Sequence, residues 1–381
     1  MTITFVTNLV NHHQLPLADE LFGMPGVDYH YIVCEPLPDW LVNGGYDPSL
    51  NRPFILRTYE GNEQLMEARK LIDDSDVVII GSAPIDWVYK RKKENKITFH
   101  CHERWLKHFS LGLLSPIYNY YVWKHYTQFR NKNTYMLCAS AFTSKDVKRY
   151  GAFPHKCFKW GYFTKVDDTF EVEASNLGAS TSEITPLMWC SRFLRLKHPE
   201  LPVQLAHKLK EKGYCFHIDM FGSGEELDNT KALIAKLCVE DCVTLRGNLP
   251  NEEILKEMRK HSIFLFTSDR NEGWGAVLNE SMSNGCAVVA SDEIGSVPFL
   301  VKNGENGLVF RSKSIDSLES QVELLLNNAE FCFKLRKEAI STMKRVWSPQ
   351  NAARALINLI NSITTESLGD YNVMIGPGSW A

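Results

Sequence analysis

The chain has no uninterrupted apolar run near the roughly 18 residues needed to cross a bilayer, which excludes a helical membrane span on sequence grounds. After the first strand candidate stands Asn8-Leu-Val-Asn-His-His rather than Gly-x-Gly-x-x-Gly, which argues against a nicotinamide oxidoreductase built on paired Rossmann-like domains. Ten cysteines are scattered with no Cys-x-x-Cys pair, so neither a zinc site nor a disulfide framework is expected. The start, Met1-Thr-Ile-Thr-Phe-Val-Thr-Asn, lacks the basic flank, long apolar core and cleavage site of a signal peptide and reads as a strand. These absences point to a cytoplasmic protein, soluble or held peripherally on the cytoplasmic face of a membrane.

What is present is a globular composition, 44% hydrophobic and 23% charged, over 381 residues. That length exceeds what one core usually holds, so two domains are expected. Strand and helix candidates alternate throughout, which predicts parallel sheets covered by helices. Strands are expected at residues 3–7, 29–34, 54–56, 77–80, 97–100 and 135–138 in a first domain, 1–166. A second, 186–345, has candidates at 187–190, 217–221, 243–245, 263–266, 287–290 and 308–310. Between them 167–185, acidic and then rich in Ser, Thr, Gly and Ala, reads as a linker or exposed loop. Residues 346–381 hold a late helix, announced by Ser348-Pro-Gln-Asn and an apolar face.

One stretch stands out, Glu272-Gly-Trp-Gly-Ala-Val-Leu-Asn-Glu280, set between apolar runs at 263–267 and 287–290. Read as strand, loop and helix, Gly273 and Gly275 allow a tight turn and the next amides face a phosphate. Glu272 then sits at the mouth and Glu280 two turns down the helix. Both could accept hydrogen bonds from hydroxyls of one elongated ligand, which looks like a nucleotide sugar. The alternative is a helix-start acid and a solvated surface glutamate.

In order around this stretch come Ser191-Arg192-Phe-Leu-Arg-Leu-Lys197 after a buried run, Phe221-Gly222-Ser-Gly224, Val243-Thr-Leu-Arg-Gly247-Asn248-Leu249, Ser283-Asn-Gly285-Cys-Ala-Val-Val-Ala-Ser, and Gly295-Ser-Val-Pro-Phe-Leu-Val-Lys-Asn-Gly304-Glu-Asn-Gly307. This half of the chain resembles the donor domain of retaining GT-B glycosyltransferases of family four, glycosyl transferases group 1, of the bacterial polysaccharide type. Ser191 replaces the usual Gly, and Phe299 stands where the family usually has Glu, so no ligand contact is assigned there.

The resemblance implies a GT-B fold, an α/β arrangement in which two Rossmann-like domains face each other across a cleft and a C-terminal helix crosses back to the first. It implies that Arg192 and Lys197 bind the leaving diphosphate, a task of a divalent ion elsewhere, so neither metal nor other cofactor is expected. Glu272 would hold sugar hydroxyls and Glu280 the ribose. Gly222, Gly224, Asn248, Leu249, Gly273, Trp274, Gly275 and Ala276 complete the expected donor contacts. The family commonly places a histidine after a first-domain strand, which selects His102 in Ile97-Thr-Phe-His-Cys-His102-Glu103-Arg104-Trp105 as catalytic. His100 alternates with Phe99 and could lie inside the sheet. Some bacterial polysaccharide enzymes carry Ser-Glu-Arg there, which makes Glu103 and Arg104 acceptor candidates. His12 and His13, in a loop expected at the cleft, are acceptor candidates too. Asp74-Ser75-Asp76 imitates a metal-binding Asp-x-Asp, yet it precedes Val77-Val-Ile-Ile and reads as a helix end before a strand.

Charge is uneven. Residues 89–165 carry sixteen Lys and Arg against three acids, interleaved with aromatics from Trp105 to Tyr126. Such a mix suits anionic lipid headgroups, or else a core with a solvated cationic face. No recognised nucleic-acid module is present, so nucleic acid is not expected as a partner. The expected function is transfer from a nucleoside diphosphate sugar, UDP by preference, to a glycan or lipid-linked acceptor in surface polysaccharide synthesis. The alternative is a non-catalytic glycan- or lipid-binding scaffold on the same fold.

Overall fold

A computed structural model describes residues 1–42, 47, 49–107, 114–173 and 184–381. Two compact units emerge, one from residues 1–165 and 347–381 and the other from residues 166–346.

The first unit is built on a seven-stranded parallel sheet: β1 (Thr2–Thr7), β2 (Asp28–Val33), β3 (Ile55–Arg57), β4 (Val77–Ile80), β5 (Ile97–His102), β6 (Thr134–Cys138) and β7 (Cys157–Lys159), in the spatial order β3-β2-β1-β4-β5-β6-β7. Apolar runs such as Val77-Val-Ile-Ile are buried along their whole length, as strands covered on both faces require. Strand β5 runs two residues beyond its expected end, which puts His102 on the strand's last position rather than in a loop. Strand β7 escapes a pattern reading because three residues are too few to show a period. Its free edge is covered by the chain's own end: Lys159 N–H donates to Ser379 O (2.7 Å), Ala381 N–H donates to Cys157 O (3.0 Å), and Trp380 packs on Phe158 with ring centroids 4.6 Å apart.

The helix Asn62–Asp74 stops at Ser75, whose hydroxyl donates to Leu71 O, and Asp76 accepts the N–H of Thr2 at 2.8 Å. The Asp-x-Asp look-alike therefore holds a helix end against a strand, as its context predicts. The late helix Pro349–Thr364 belongs to this unit, begins with Ser348 accepting Asn351 N–H, and buries Ala352, Leu356, Leu359 and Ile360. Not all of the expected cationic face is solvated. Arg91 is fully buried and donates to Ile72 O, Ser75 O and Ile97 O, while Lys92, also fully buried, donates to His125 O at 2.7 Å over the Phe129 ring. Both satisfy main-chain carbonyls that would otherwise be costly to bury.

The second unit carries a six-stranded parallel sheet, β8 (Thr185–Cys190), β9 (Phe216–Phe221), β10 (Val243–Gly247), β11 (Ile263–Phe266), β12 (Ala287–Ser291) and β13 (Leu308–Phe310), in the order β10-β9-β8-β11-β12-β13. The start of the segment read as an exposed linker is instead anchored here. Asp167 pairs with Arg259 at 3.0 Å, Lys344 donates to the carbonyls of Asp168 and Phe170, and Val172 is buried beside Gly285. The remainder, 174–183, lies outside the described residues.

Candidate functional site

In each parallel sheet the strand order reverses once, between β1 and β4 in the first unit and between β8 and β11 in the second. Loops leaving the strand ends on either side of such a reversal diverge and open a crevice, the usual ligand position in doubly wound sheets. In the second unit the loop after β8 carries Arg192 and Lys197, and the loop after β11 carries Glu272 to Ala276. The switch point thus gathers the cations and the acid that the sequence reading singled out.

Lys197 ends a short 3-10 turn (Arg195–Lys197) and is largely buried, and its Nζ donates to Glu272 Oε2. The two loops are also tied through their backbones. Thr267 Oγ1 donates to Lys197 O at 2.7 Å, accepts Trp189 Nε1–H at 2.9 Å, and Asp269 N–H donates to Leu196 O at 2.9 Å. Two residues that the sequence reading passed over complete this lashing. Asp269 is buried and accepts from Asn271 N–H (2.9 Å) and from Lys313 Nζ (3.0 Å), and it faces His198 Nε2 at 3.4 Å. The other ring nitrogen of His198 faces Glu200 at 2.6 Å. Only the doubly protonated imidazole can donate to carboxylates on both sides. Although burial opposes it, these two acids raise the His198 pKa. The signal was available: Asp269-Arg-Asn-Glu272 is an Asp-led turn, and His198 directly follows Lys197.

Arg192 is exposed at the start of its loop. Gly222 and Gly224 have φ of +127° and +151°, and a Cβ on either would meet backbone, Ser191 O at 1.9 Å and Phe193 O at 2.4 Å. These glycines let the β8 and β9 loops touch, closed by Phe193 N–H donating to Ser223 O. Asn248 donates to Ser223 Oγ at 2.8 Å, and Leu249 is exposed beside it.

The Glu272–Glu280 stretch differs from expectation in four respects. Of its two glycines only Gly275 takes a left-handed φ, +80°, where a Cβ would strike the Phe266 ring. The helix that follows, Val277–Ser283, is seven residues long, and the Leu278 N–H is already bonded to Gly275 O, so that amide is not open to a phosphate. Glu280 lies one turn into this helix, not two. Trp274, carried above among the donor contacts, is fully buried, donates from Nε1 to Asn279 Oδ1 at 2.8 Å and packs on Phe299. Its side chain is committed to holding the loop, which also gives Phe299 a packing role. Ala276 is buried.

Glu280 is not the solvated glutamate of the alternative reading. It is buried, accepts from Asn251 Nδ2 at 2.9 Å, and burial pushes its pKa up to about 7, with the Asn251 bond opposing. Asn251, first residue of the helix Asn251–Lys260, was not among the expected residues.

In the first unit a cavity of about 450 Å³ opens at the β1/β4 switch point, lined among others by Asn8, Asn11, Ser82, His102, Glu103, Arg104 and Tyr162. His102 contacts Tyr126 OH through Nε2 (3.3 Å), and burial first, then Lys92, lowers its pKa to about 4, so the ring is neutral at pH 7. Glu103 accepts from Lys107 Nζ (3.0 Å) and Tyr162 OH (3.1 Å). Arg104 is more constrained than an acceptor-binding role suggests. Its side chain is 10% exposed, stacks on Phe142 and lies 3.9 Å from Asp146. His12 and His13 are not among the residues lining this cavity; their rings lie with centroids 3.8 Å apart, tilted by 50°, and burial lowers both pKa values, His12 to about 4. His100 is fully buried in the sheet, and neither ring nitrogen has a hydrogen-bond partner among the described residues.

Comparison with known proteins bears on both units. Residues 186–342 match the family described as Glycosyl transferases group 1. The chain is 30% identical over 146 residues to the poly(glycerol-phosphate) alpha-glucosyltransferase of Bacillus subtilis, a match covering 38% of this chain and 21% of that protein. It is 32% identical over 144 residues to the amylovoran biosynthesis glycosyltransferase AmsK of Erwinia amylovora, covering 36% and 35%. The chain thus spans about a fifth to a third of these relatives. Among solved structures, the Anabaena protein HepE in complex with UDP superposes with a TM-score of 0.68 at 13% identity, covering 97% of this chain and all of that one. Sucrose-phosphate synthase from Thermosynechococcus elongatus gives 0.69 at 15% identity, covering 96% and 100%. At such identities the likeness establishes the fold, which is of the GT-B class expected from the sequence. The ordered motifs at the switch point of the second sheet thus fall within residues 186–342, the part of this chain that matches the glycosyl transferases group 1 family.

Proposed function

We propose that this protein is a glycosyltransferase that moves a sugar, with retention at the anomeric carbon, from a nucleoside diphosphate sugar to a hydroxyl of a glycan or lipid-linked oligosaccharide in surface polysaccharide synthesis. It works without metal, at the cytoplasmic face of a membrane, and UDP is the preferred carrier. The observation that carries the reading is the Lys197–Glu272 pair at the switch point of a group 1 domain. Relatives named for glucosyl transfer and for amylovoran synthesis, and a fold neighbour crystallised with UDP, support the donor and the pathway class.

The chemistry follows from charge. As the glycosidic bond breaks, negative charge grows on the leaving diphosphate, and Lys197 and Arg192 supply fixed positive charge to it. Glu272, relieved of Lys197 by the diphosphate, accepts from sugar hydroxyls. Glu280 and Asn251 take the ribose, and the base lies by Asn248 and Leu249. His102, neutral at pH 7, hydrogen-bonds a hydroxyl near the reacting centre, with Glu103, Arg104, His12 and His13 toward the acceptor. No residue is assigned as a covalent nucleophile.

The first test is thermal stability with UDP, GDP, ADP, TDP and CMP, with and without magnesium. A ligand at a hundred times its dissociation constant stabilises by about 2.7 kcal/mol. A shift of several degrees with one diphosphate and no need of metal supports the reading. No shift with any of them favours a scaffold without donor chemistry.

Glu280 makes a sharper prediction. A free glutamate loses its proton near 4.5, but this one holds it to about 7. Between those values the folded chain carries the extra proton, so stability falls as pH rises through that window. Ribose hydroxyls donating to Glu280 favour the charged form, so nucleotide binding releases a proton. Affinity for UDP should therefore rise with pH, by up to about tenfold per unit below pH 7, and flatten above it. Calorimetry in buffers of different ionisation enthalpy would detect that proton, and Glu280→Gln should abolish both the slope and the release.

A further inference from the structure

The helix Pro116–His125 turns its aromatic and aliphatic residues outward. Ser115 caps it by accepting Tyr118 N–H at 3.2 Å, Pro116 opens it, and Val122 is its only buried residue. Tyr118 leans inward on Tyr150. Ile117 is 83% exposed, Tyr120 61%, Trp123 52% and Tyr121 41%. Tyr120 and Trp123 lie stacked against each other, and Tyr121 packs on His125. Apolar residues on a surface helix normally face the core, so four such side chains on one short helix mark a contact surface.

Charge around the helix indicates what it contacts. No acid lies on the helix itself, and Lys124 sits exposed within its outer face. Buried Lys92 is bonded to His125 O at the C-terminal end, and the next residue, exposed Lys93, holds its Nζ 4.7 Å from the centroid of the Tyr89 ring. On the other side Tyr150, packed against Tyr118, follows a helix (Thr143–Arg149) that ends in exposed Lys148 and Arg149. The three acids of residues 89–165 are all engaged: Glu94 lies 3.7 Å from Lys96, Glu103 is bonded by Lys107 and Tyr162, and Asp146 is buried, accepting Leu106 N–H. Outside that range Asp86 acts on His125, where Lys92 and Lys124 outweigh it, so the local field is positive.

From this arrangement we infer that the helix Pro116–His125 lies flat in the headgroup region of an anionic lipid surface. Ile117 reaches the acyl boundary, and the amphipathic rings of Tyr120, Tyr121 and Trp123 sit at headgroup level. Lys93, Lys124 and the end of the 143–149 helix meet lipid phosphates. A second copy of this chain would carry the same positive rim, and like charges would oppose that pairing. The inference deepens the reading of a lipid-linked acceptor, since it places the first unit's own surface on the membrane that holds such an acceptor.

The test is sedimentation with vesicles of phosphatidylcholine, with and without phosphatidylglycerol. Binding is expected to the anionic vesicles, weaker at high salt. Ile117→Asp combined with Trp123→Glu should lower the partition coefficient at least tenfold, with an unchanged melting temperature because both side chains are exposed. Equal binding by variant and wild type, or none by wild type, would overturn the inference. So would a wild-type dimer that the double variant converts to monomer. UDP binding measured on the same proteins separates the two proposals. Nucleotide binding without vesicle binding removes the lipid surface alone, and vesicle binding without nucleotide binding removes the donor reading alone.

Discussion

Lys197→Ala is expected to lower turnover about a hundredfold to a thousandfold, the usual loss when one preorganised contact to developing negative charge is removed. It should also destabilise the second unit, because Glu272, with a side chain only 13% exposed, loses its ion partner. Full removal of one member from a buried pair costs about 3–5 kcal/mol, and the residual exposure here brings the cost toward the lower end or below it. These effects can be separated. Lys197→Met with Glu272→Gln removes both charges, so it should recover most of the stability while remaining inactive. Turnover by the purified double variant within tenfold of wild type would refute the assignment of this pair to the donor.

The second large effect is expected at Gly222. Its φ of +127° and the Ser191 carbonyl oxygen 1.9 Å from where a Cβ would sit leave no room for any side chain. The neighbour is backbone, bound to the β9 end through Ser191 N–H donating to Phe221 O, so it cannot swing aside as a flexible side chain would. Gly222→Val should cost upwards of about 3 kcal/mol from combined strain and overpacking. It should also push apart the β8 loop, which carries Arg192, and the β9 loop, whose Ser223 accepts from Asn248, and UDP binding would be lost with it. Gly247→Ala is the control: it too has a positive φ, +73°, but nothing lies within 4 Å of its Cβ position. It should show backbone strain alone, about 1 kcal/mol, and keep nucleotide binding. Equal damage from the two substitutions would show that conformation, not close approach, sets the effect.

These predictions rest on residues of unequal visibility. Fully buried parallel strands announce themselves because both faces must be apolar, so Val77-Val-Ile-Ile and Ile263-Phe-Leu-Phe could be placed to within a residue. Strand β7 could not, being three residues paired with β6 on one edge and bridged on the other by the stretch around Trp380, some 220 positions away in sequence. Gly275 and Gly273 look alike in sequence, and it is the left-handed φ and the Phe266 ring against its Cβ position that mark Gly275 as the one that must be glycine. Nothing in the local sequence shows that Asn279 and Phe299 meet the Trp274 side chain. Asn251 carries no motif of its own; it reaches Glu280 because two helix starts converge.

By itself, the sequence determined the α/β class, the order of the elements and the run of motifs that defines the family, because hydrophobic period, glycine and capping chemistry act over a few neighbouring residues. Only the tertiary structure decided that Lys197 pairs with Glu272, that Glu280 is buried with a raised pKa, and that Ile117 and Trp123 face outward. Ion pairing, desolvation and exposure depend on what distant segments bring within a few ångströms, and no local pattern records that.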